Sequence, residues 1–130
     1  MPIESQLSVF LENKPGALGR LLQSFAHAKI NICAIMVSDT VDHAVVRMLV
    51  SDSTRAQHLL EQHGVLVVET EVLTLKVPNQ PGALARIAAT LAKGKVNIEY
   101  AYGTAGLSLQ NSLLILRVNN LAKARKLLKV

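Results

Sequence analysis

The feature that most constrains this chain is an internal repeat. Asn13-Lys14-Pro15-Gly16-Ala17-Leu18-Gly19-Arg20 returns as Asn79-Gln80-Pro81-Gly82-Ala83-Leu84-Ala85-Arg86, an offset of 66 positions (79 minus 13), and Lys29-Ile30-Asn31-Ile32 returns at the same offset as Lys95-Val96-Asn97-Ile98. Residues 45–50 match 113–118, and Leu59-Leu60 matches Leu127-Leu128, now at an offset of 68 (113 minus 45). Two additional residues therefore sit in one loop of the second copy, around Gly103 to Gly106. With 130 residues in total, the repeat divides the chain into two very small domains, 1–70 and 71–130, rather than one of ordinary size.

Each copy has the same order of elements. Leu7, Val9 and Leu11 alternate, as do Leu73, Leu75 and Val77, which is strand periodicity. Pro-Gly then turns the chain, with Pro15 and Pro81 expected in the first helical turn, where a missing N–H is tolerated. Leu18, Leu21, Leu22 and Phe25 follow at helical spacing, as do Leu84, Ile87, Ala88 and Leu91, so both segments predict amphipathic helices. A second strand is expected at 31–37 and 97–102, then a loop, then a third strand rich in aliphatic residues. Ser53 or Thr54 is placed to cap the next helix, with Ala56, Leu59 and Leu60 on its apolar face and Gly64 as its stop.

A further strand, 65–69, completes copy one as βαββαβ: a ferredoxin-like α+β fold, with an antiparallel sheet carrying its helices on one face. Copy two lacks its own C-terminal strand because the sequence ends at Val130. Residues 65–77 contain no Gly, Pro, Asn or Asp, so strand four of copy one is expected to run directly into strand one of copy two. Residues before Leu7 are then placed to pair with 73–77 and stand in for the missing strand, within the limit that Pro2 has no N–H to donate.

At Asn-x-Pro-Gly-x-Leu after a strand, followed by Asn-Ile opening the next strand, both copies resemble the ACT domain family, small ligand-binding regulatory modules often associated with enzymes of amino-acid metabolism. The arrangement resembles a tandem ACT protein, and copy one is also similar to the ACT modules of the acetolactate synthase regulatory subunit and of phosphoglycerate dehydrogenase. The resemblance implies a small amino acid bound where domains meet, between the first strand-to-helix loop of one and strand two of its neighbour. Carried onto this sequence, it implies Asn13, Pro15 and Gly16 facing Asn97, and Asn79, Pro81 and Gly82 facing Asn31.

The chemistry of these residues is compatible with that role. Glycine lets a ligand approach the backbone where a helix begins, and the N–H groups and dipole there favour a carboxylate. Asparagine offers both donor and acceptor to a zwitterion. The same residues also have a purely structural reading, in which Pro-Gly turns the chain, Asn13 and Asn79 cap helices, and Asn31 and Asn97 close loops.

Composition removes other classes. Half the residues are hydrophobic, enough for a core, but only 3% are aromatic (Phe10, Phe25, Tyr100, Tyr102), so platforms for stacking bases can hardly be built. The net charge is +5, and the basic excess lies in the second half, notably Lys123, Arg125, Lys126 and Lys129 on an expected terminal helix. That helix is read as a solvated face, with nucleic-acid binding kept as an alternative function. A lone Cys33 excludes an intrachain disulfide and is read as a small core residue. His27, His43, His58 and His63 lack metal-site spacing and are read as surface residues. No signal peptide or membrane span is visible, which gives a cytoplasmic location and no membrane partner as expectations.

No Ser/His/Asp set, paired carboxylates or phosphate loop appears, so neither an enzyme nor a cofactor is expected. Glu99 is positioned on strand two to meet a ligand ammonium, and 103–106 read as a hairpin loop. The third strands are apolar on both faces, Val46 and Met48 against Val45 and Leu49, and Leu114 and Leu116 against Leu113 and Ile115. A sheet with helices on one side normally has a polar opposite face, so self-association or a partner metabolic enzyme is expected to cover it. The expectation is a non-catalytic sensor, at least dimeric, with a ligand-free assembly module as the other alternative.

Overall fold

In a computed structural model, which describes residues 2–39, 43–104 and 110–130, the elements run β1 (Ile3–Glu12), α1 (Ala17–His27), β2 (Ile32–Asp39), β3 (His43–Val50), α2 (Ser53–Gln62), β4 (Leu66–Pro78), α3 (Ala83–Lys93), β5 (Ile98–Thr104), β6 (Asn111–Val118) and α4 (Leu121–Leu128). They form two compact units. One is Ser5–Thr70, and the other joins Met1–Glu4 to Glu71–Val130.

In Ser5–Thr70 the strand order is β2-β3-β1-β4, the order of a ferredoxin-like sandwich. Leu7 lies opposite Met48 and Val9 opposite Val46, and all four point to the helices. There they pack on Leu21 and Phe25 of α1 and on Ala56 and Leu60 of α2. Burying Phe25 and Leu60 almost completely contributes about 1.5–3 kcal/mol each. The other unit repeats the scheme with order β1-β4-β6-β5: Leu73 opposite Leu116 and Leu75 opposite Leu114, packed on Ala83, Leu91 and Ala124.

Among the described residues of the second unit no strand follows α4, and β4 is flanked instead by the beginning of β1. The Thr74 N–H donates to the Pro2 carbonyl at 2.6 Å, and Ile3 packs against the core of that unit. Pro2 contributes an acceptor, the one backbone group it has to give. The long strand expected over 65–77 is β4, 13 residues from Leu66 to Pro78.

Several local expectations are corrected. The helices α1 and α3 start at Ala17 and Ala83, each capped by a glycine at φ 87°, so Pro15 and Pro81 lie in the turn before the helix. The cap of α2 is Asp52, whose Oδ1 accepts from the Arg55 N–H at 3.1 Å, rather than Ser53 or Thr54. Asn120 does the same for α4, accepting from Lys123 at 3.0 Å. Cys33 is exposed, because it is the extra residue of a bulge between Ile32 and Ala34. Glu99, 66 positions on, lies at the same irregularity between Ile98 and Tyr100. Leu84, expected on the apolar face of α3, is 58% exposed, and Ala83 is buried in its stead.

On the sheet face turned from the helices, Leu49 and Ile115 are buried, as are the polar Gln6 and Ser8, whereas Leu66 and Val68 are exposed. No helix among the described residues is long and apolar enough to cross a membrane.

Candidate ligand site at the strand-to-helix loops

The loops after β1 and β4 have one backbone design used twice. Lys14 N–H donates to the Glu12 carbonyl (3.0 Å), Ala17 to Lys14 (3.3 Å) and Arg20 to Gly16 (3.0 Å). In the second copy Gln80 donates to Pro78 (2.9 Å), Ala83 to Gln80 (3.3 Å) and Arg86 to Gly82 (3.0 Å). Glycine is required at the cap, since φ 87° is a left-handed conformation that costs other residues about 1–2 kcal/mol. No side chain caps either helix. Leu18 and Gly19, and Leu84 and Ala85, are therefore the first-turn amides left for an outside acceptor.

Asn13 and Asn79 are exposed on these loops and supply no cap, which removes that structural reading of them. Asn31 and Asn97 do close loops. Asn31 N–H donates to Ser51 Oγ at 2.9 Å while its carbonyl accepts from Ser51 N–H. Asn97 N–H donates to Asn119 Oδ1 at 2.9 Å, and Asn119 N–H returns to the Asn97 carbonyl at 3.2 Å. All four bonds use the backbone of Asn31 or Asn97, and both asparagines are exposed. Within one unit Asn13 and Asn31 lie at opposite ends of the sheet, since Glu12 pairs with His43 at one end of β3 and Ile32 with Val50 at the other. Glu99 is engaged by Arg117 at 3.2 Å, an ion pair the sequence reading did not anticipate.

The structure adds residues that sequence reasoning missed. Arg20 folds back over Gly16: a Cβ at position 16 would come within 2.8 Å of its guanidinium, and at Gly82 within 3.3 Å of that of Arg86. The signal was present, since both arginines end the repeated octad. Beside the first loop lies an open groove of about 860 Å³. Phe10, Leu11, Leu21, Phe25, Val65 and Leu66 line its apolar part. Glu12, Lys14, Arg20, His43 and His63 also line it. Lys14 Nζ lies 2.9 Å from Glu12 Oε2, and this contact, with smaller contributions from His43 and Arg20, holds the Glu12 carboxyl below its ordinary value. Asn13, Pro15 and Gly16 do not line the groove. Among the described residues no cluster of acidic, His or Cys side chains could hold a metal ion.

Comparison with known proteins identifies the scaffold. A model of the ACT domain pair matches residues 1–130. The chain belongs to the ACT domain pair family. Protein BT0572 from Bacteroides thetaiotaomicron is 34% identical, with a TM-score of 0.93 over 98% of this chain and 88% of that one. The ligand-free regulatory subunit of aspartate kinase from Thermus thermophilus, 14% identical, shares the fold with a TM-score of 0.70 over 99% of this chain and 96% of that one. No curated protein sequence matches. In this ACT domain pair, both copies of the Asn-x-Pro-Gly-x-Leu motif occupy the same turn before a helix, so the resemblance extends from sequence to backbone geometry.

Proposed function

We propose that this ACT domain pair is a non-catalytic regulatory sensor that binds a small amino acid at its strand-to-helix loops. Asn13, Pro15 and Gly16, and Asn79, Pro81 and Gly82, form the loop side, and Asn97 and Asn31 form the strand-two side contributed by a neighbouring domain of the assembled protein. The observation that carries this reading is the twofold occurrence of a glycine-capped helix start without a side-chain cap. It leaves first-turn amides for a carboxylate beside an asparagine able to bond carboxylate or ammonium. A ligand that bridges two domains favours one arrangement over others, and so changes affinity for a partner enzyme of amino-acid metabolism. The fold shared with a regulatory subunit of aspartate kinase supports a role of this kind. A cytoplasmic setting and a dimeric or higher assembly complete the proposal.

The test is a thermal-shift panel of the twenty amino acids on the wild-type protein and on Asn13→Ala/Asn79→Ala. A ligand at 100 times its Kd raises stability by about 2.7 kcal/mol, a shift of several degrees. The double variant is expected to lose it. A shift that survives both substitutions overturns the site, and no shift with any amino acid favours an assembly module without ligand.

A further inference from the structure

The groove of the Ser5–Thr70 unit has a chemistry of its own, on residues other than those assigned above. We propose that it binds a small carboxylate that carries a bulky apolar group and no ammonium group.

Three observations converge. At about 860 Å³ the groove falls in the range of small-molecule sites, about 300–1,000 Å³. Its apolar part presents Phe10, 37% exposed, and Leu66, 64% exposed, so an apolar body of the occupant removes hydrocarbon from water. The polar part holds two permanent cations, Lys14 and Arg20, and two histidines. Lys14, Arg20, His43 and His63 face one carboxylate, Glu12, which Lys14 already engages at 2.9 Å. Ala17, the first residue of α1, also lines the groove and brings the positive end of the helix dipole to the same side.

These charges decide the class of ligand. An anion gains from Arg20, whose planar fork matches a carboxylate in two parallel bonds. An ammonium would meet the permanent cations Lys14 and Arg20 and find its one acid partner occupied. A zwitterionic amino acid is therefore disfavoured here relative to the acid that lacks its amino group. The second unit has no equivalent set: Glu12, Lys14 and His43 correspond to Pro78, Gln80 and Asn111.

Isothermal titration of the full chain with 3-phenylpropionate, L-phenylalanine, 2-phenylethylamine and phenyl phosphate tests the proposal. The expected order is 3-phenylpropionate tightest, L-phenylalanine weaker by about tenfold or more, and no binding by the amine. Arg20→Gln should weaken 3-phenylpropionate binding by about tenfold or more, and Leu66→Glu, a surface substitution that sets a like charge at the groove, should abolish it. Arg86→Gln should leave it unchanged. Tighter binding of L-phenylalanine, of the amine or of phenyl phosphate, no binding of 3-phenylpropionate, or equal losses from Arg20→Gln and Arg86→Gln would each overturn it. Asn13→Ala/Asn79→Ala should spare this binding, which separates failure here from failure of the amino-acid site.

Discussion

The two strand-to-helix loops are alike in backbone and unlike in chemistry. Both use the same three hydrogen bonds, the same glycine at φ 87° and an arginine folded over that glycine. Yet the first is flanked by Glu12, Lys14 and His43 and the second by Pro78, Gln80 and Asn111. The conformation depends on Pro-Gly and on the helix that follows, whereas the neighbouring positions are exposed and free to vary without disturbing it. A duplicated scaffold can therefore present two different surfaces to ligands. The copies also differ in how they are completed, since Ser5–Thr70 has β4 as its fourth strand and Glu71–Val130 relies on the first residues of the chain.

The largest effect should come from removing that support. Deletion of residues 2–4 takes away Ile3 and the acceptor for Thr74, and is expected to cost about 2–4 kcal/mol. Hydrogen exchange should show the loss first in Glu71–Val130, with Thr74 and Leu75 opening before Val46 and Met48. Uniform opening of both units would contradict the completion described here.

Gly94 and Ala28 form the next contrast, being equivalent in the repeat. A methyl group at Gly94 would overlap the Leu127 side chain, so Gly94→Ala should destabilise by about 1–3 kcal/mol in denaturant melts. Ala28→Gly, which only removes a methyl, should cost about 0.5–1 kcal/mol. At the caps, Gly16→Ala and Gly82→Ala should each cost about 1–2 kcal/mol. The two costs should be alike, because both glycines share φ 87° and the guanidinium over each belongs to a flexible side chain that can move aside.

The smallest effect concerns charge. Glu12 titrates below its ordinary value chiefly because of Lys14, so Lys14→Ala should move it upward, as read from carboxyl chemical shifts against pH. The sign follows from linkage: a carboxyl depressed in the folded protein favours folding at neutral pH, and that contribution fades as pH falls through the depressed value. An unchanged Glu12 titration in Lys14→Ala would contradict the pairing. Pro78 gives the second copy no such carboxyl.

Much of the fold was legible because the repeat doubles every signal. Leu7 and Val9, seen again in Leu73 and Leu75, establish the first strands, and the turn-free run after Gly64 gives β4 its length. What escaped depended on a single residue or on tertiary contact. The bulge that turns Cys33 outward inserts one residue and leaves no mark in composition. Asp52 outcompeted Ser53 as a cap because its carboxylate reaches the Arg55 amide from an extended backbone. The candidate site divides in the same way. Asn13 and Gly16 could be read from a motif, whereas Arg20 of α1, His43 of β3 and His63 just after α2 meet at a groove only in the folded unit. Leu18 and Leu84, identical in sequence, differ in burial, so duplication of a pattern does not ensure duplication of its packing.

The central claim is that one scaffold carries two chemically distinct loops, and backbone amide chemical shifts during titration with 3-phenylpropionate test it most directly. Ala17, Arg20, Ser24 and Leu66 should move, with Ala83, Arg86 and Thr90 unmoved. Equal shifts at the two sets, or shifts confined to the second, would contradict it.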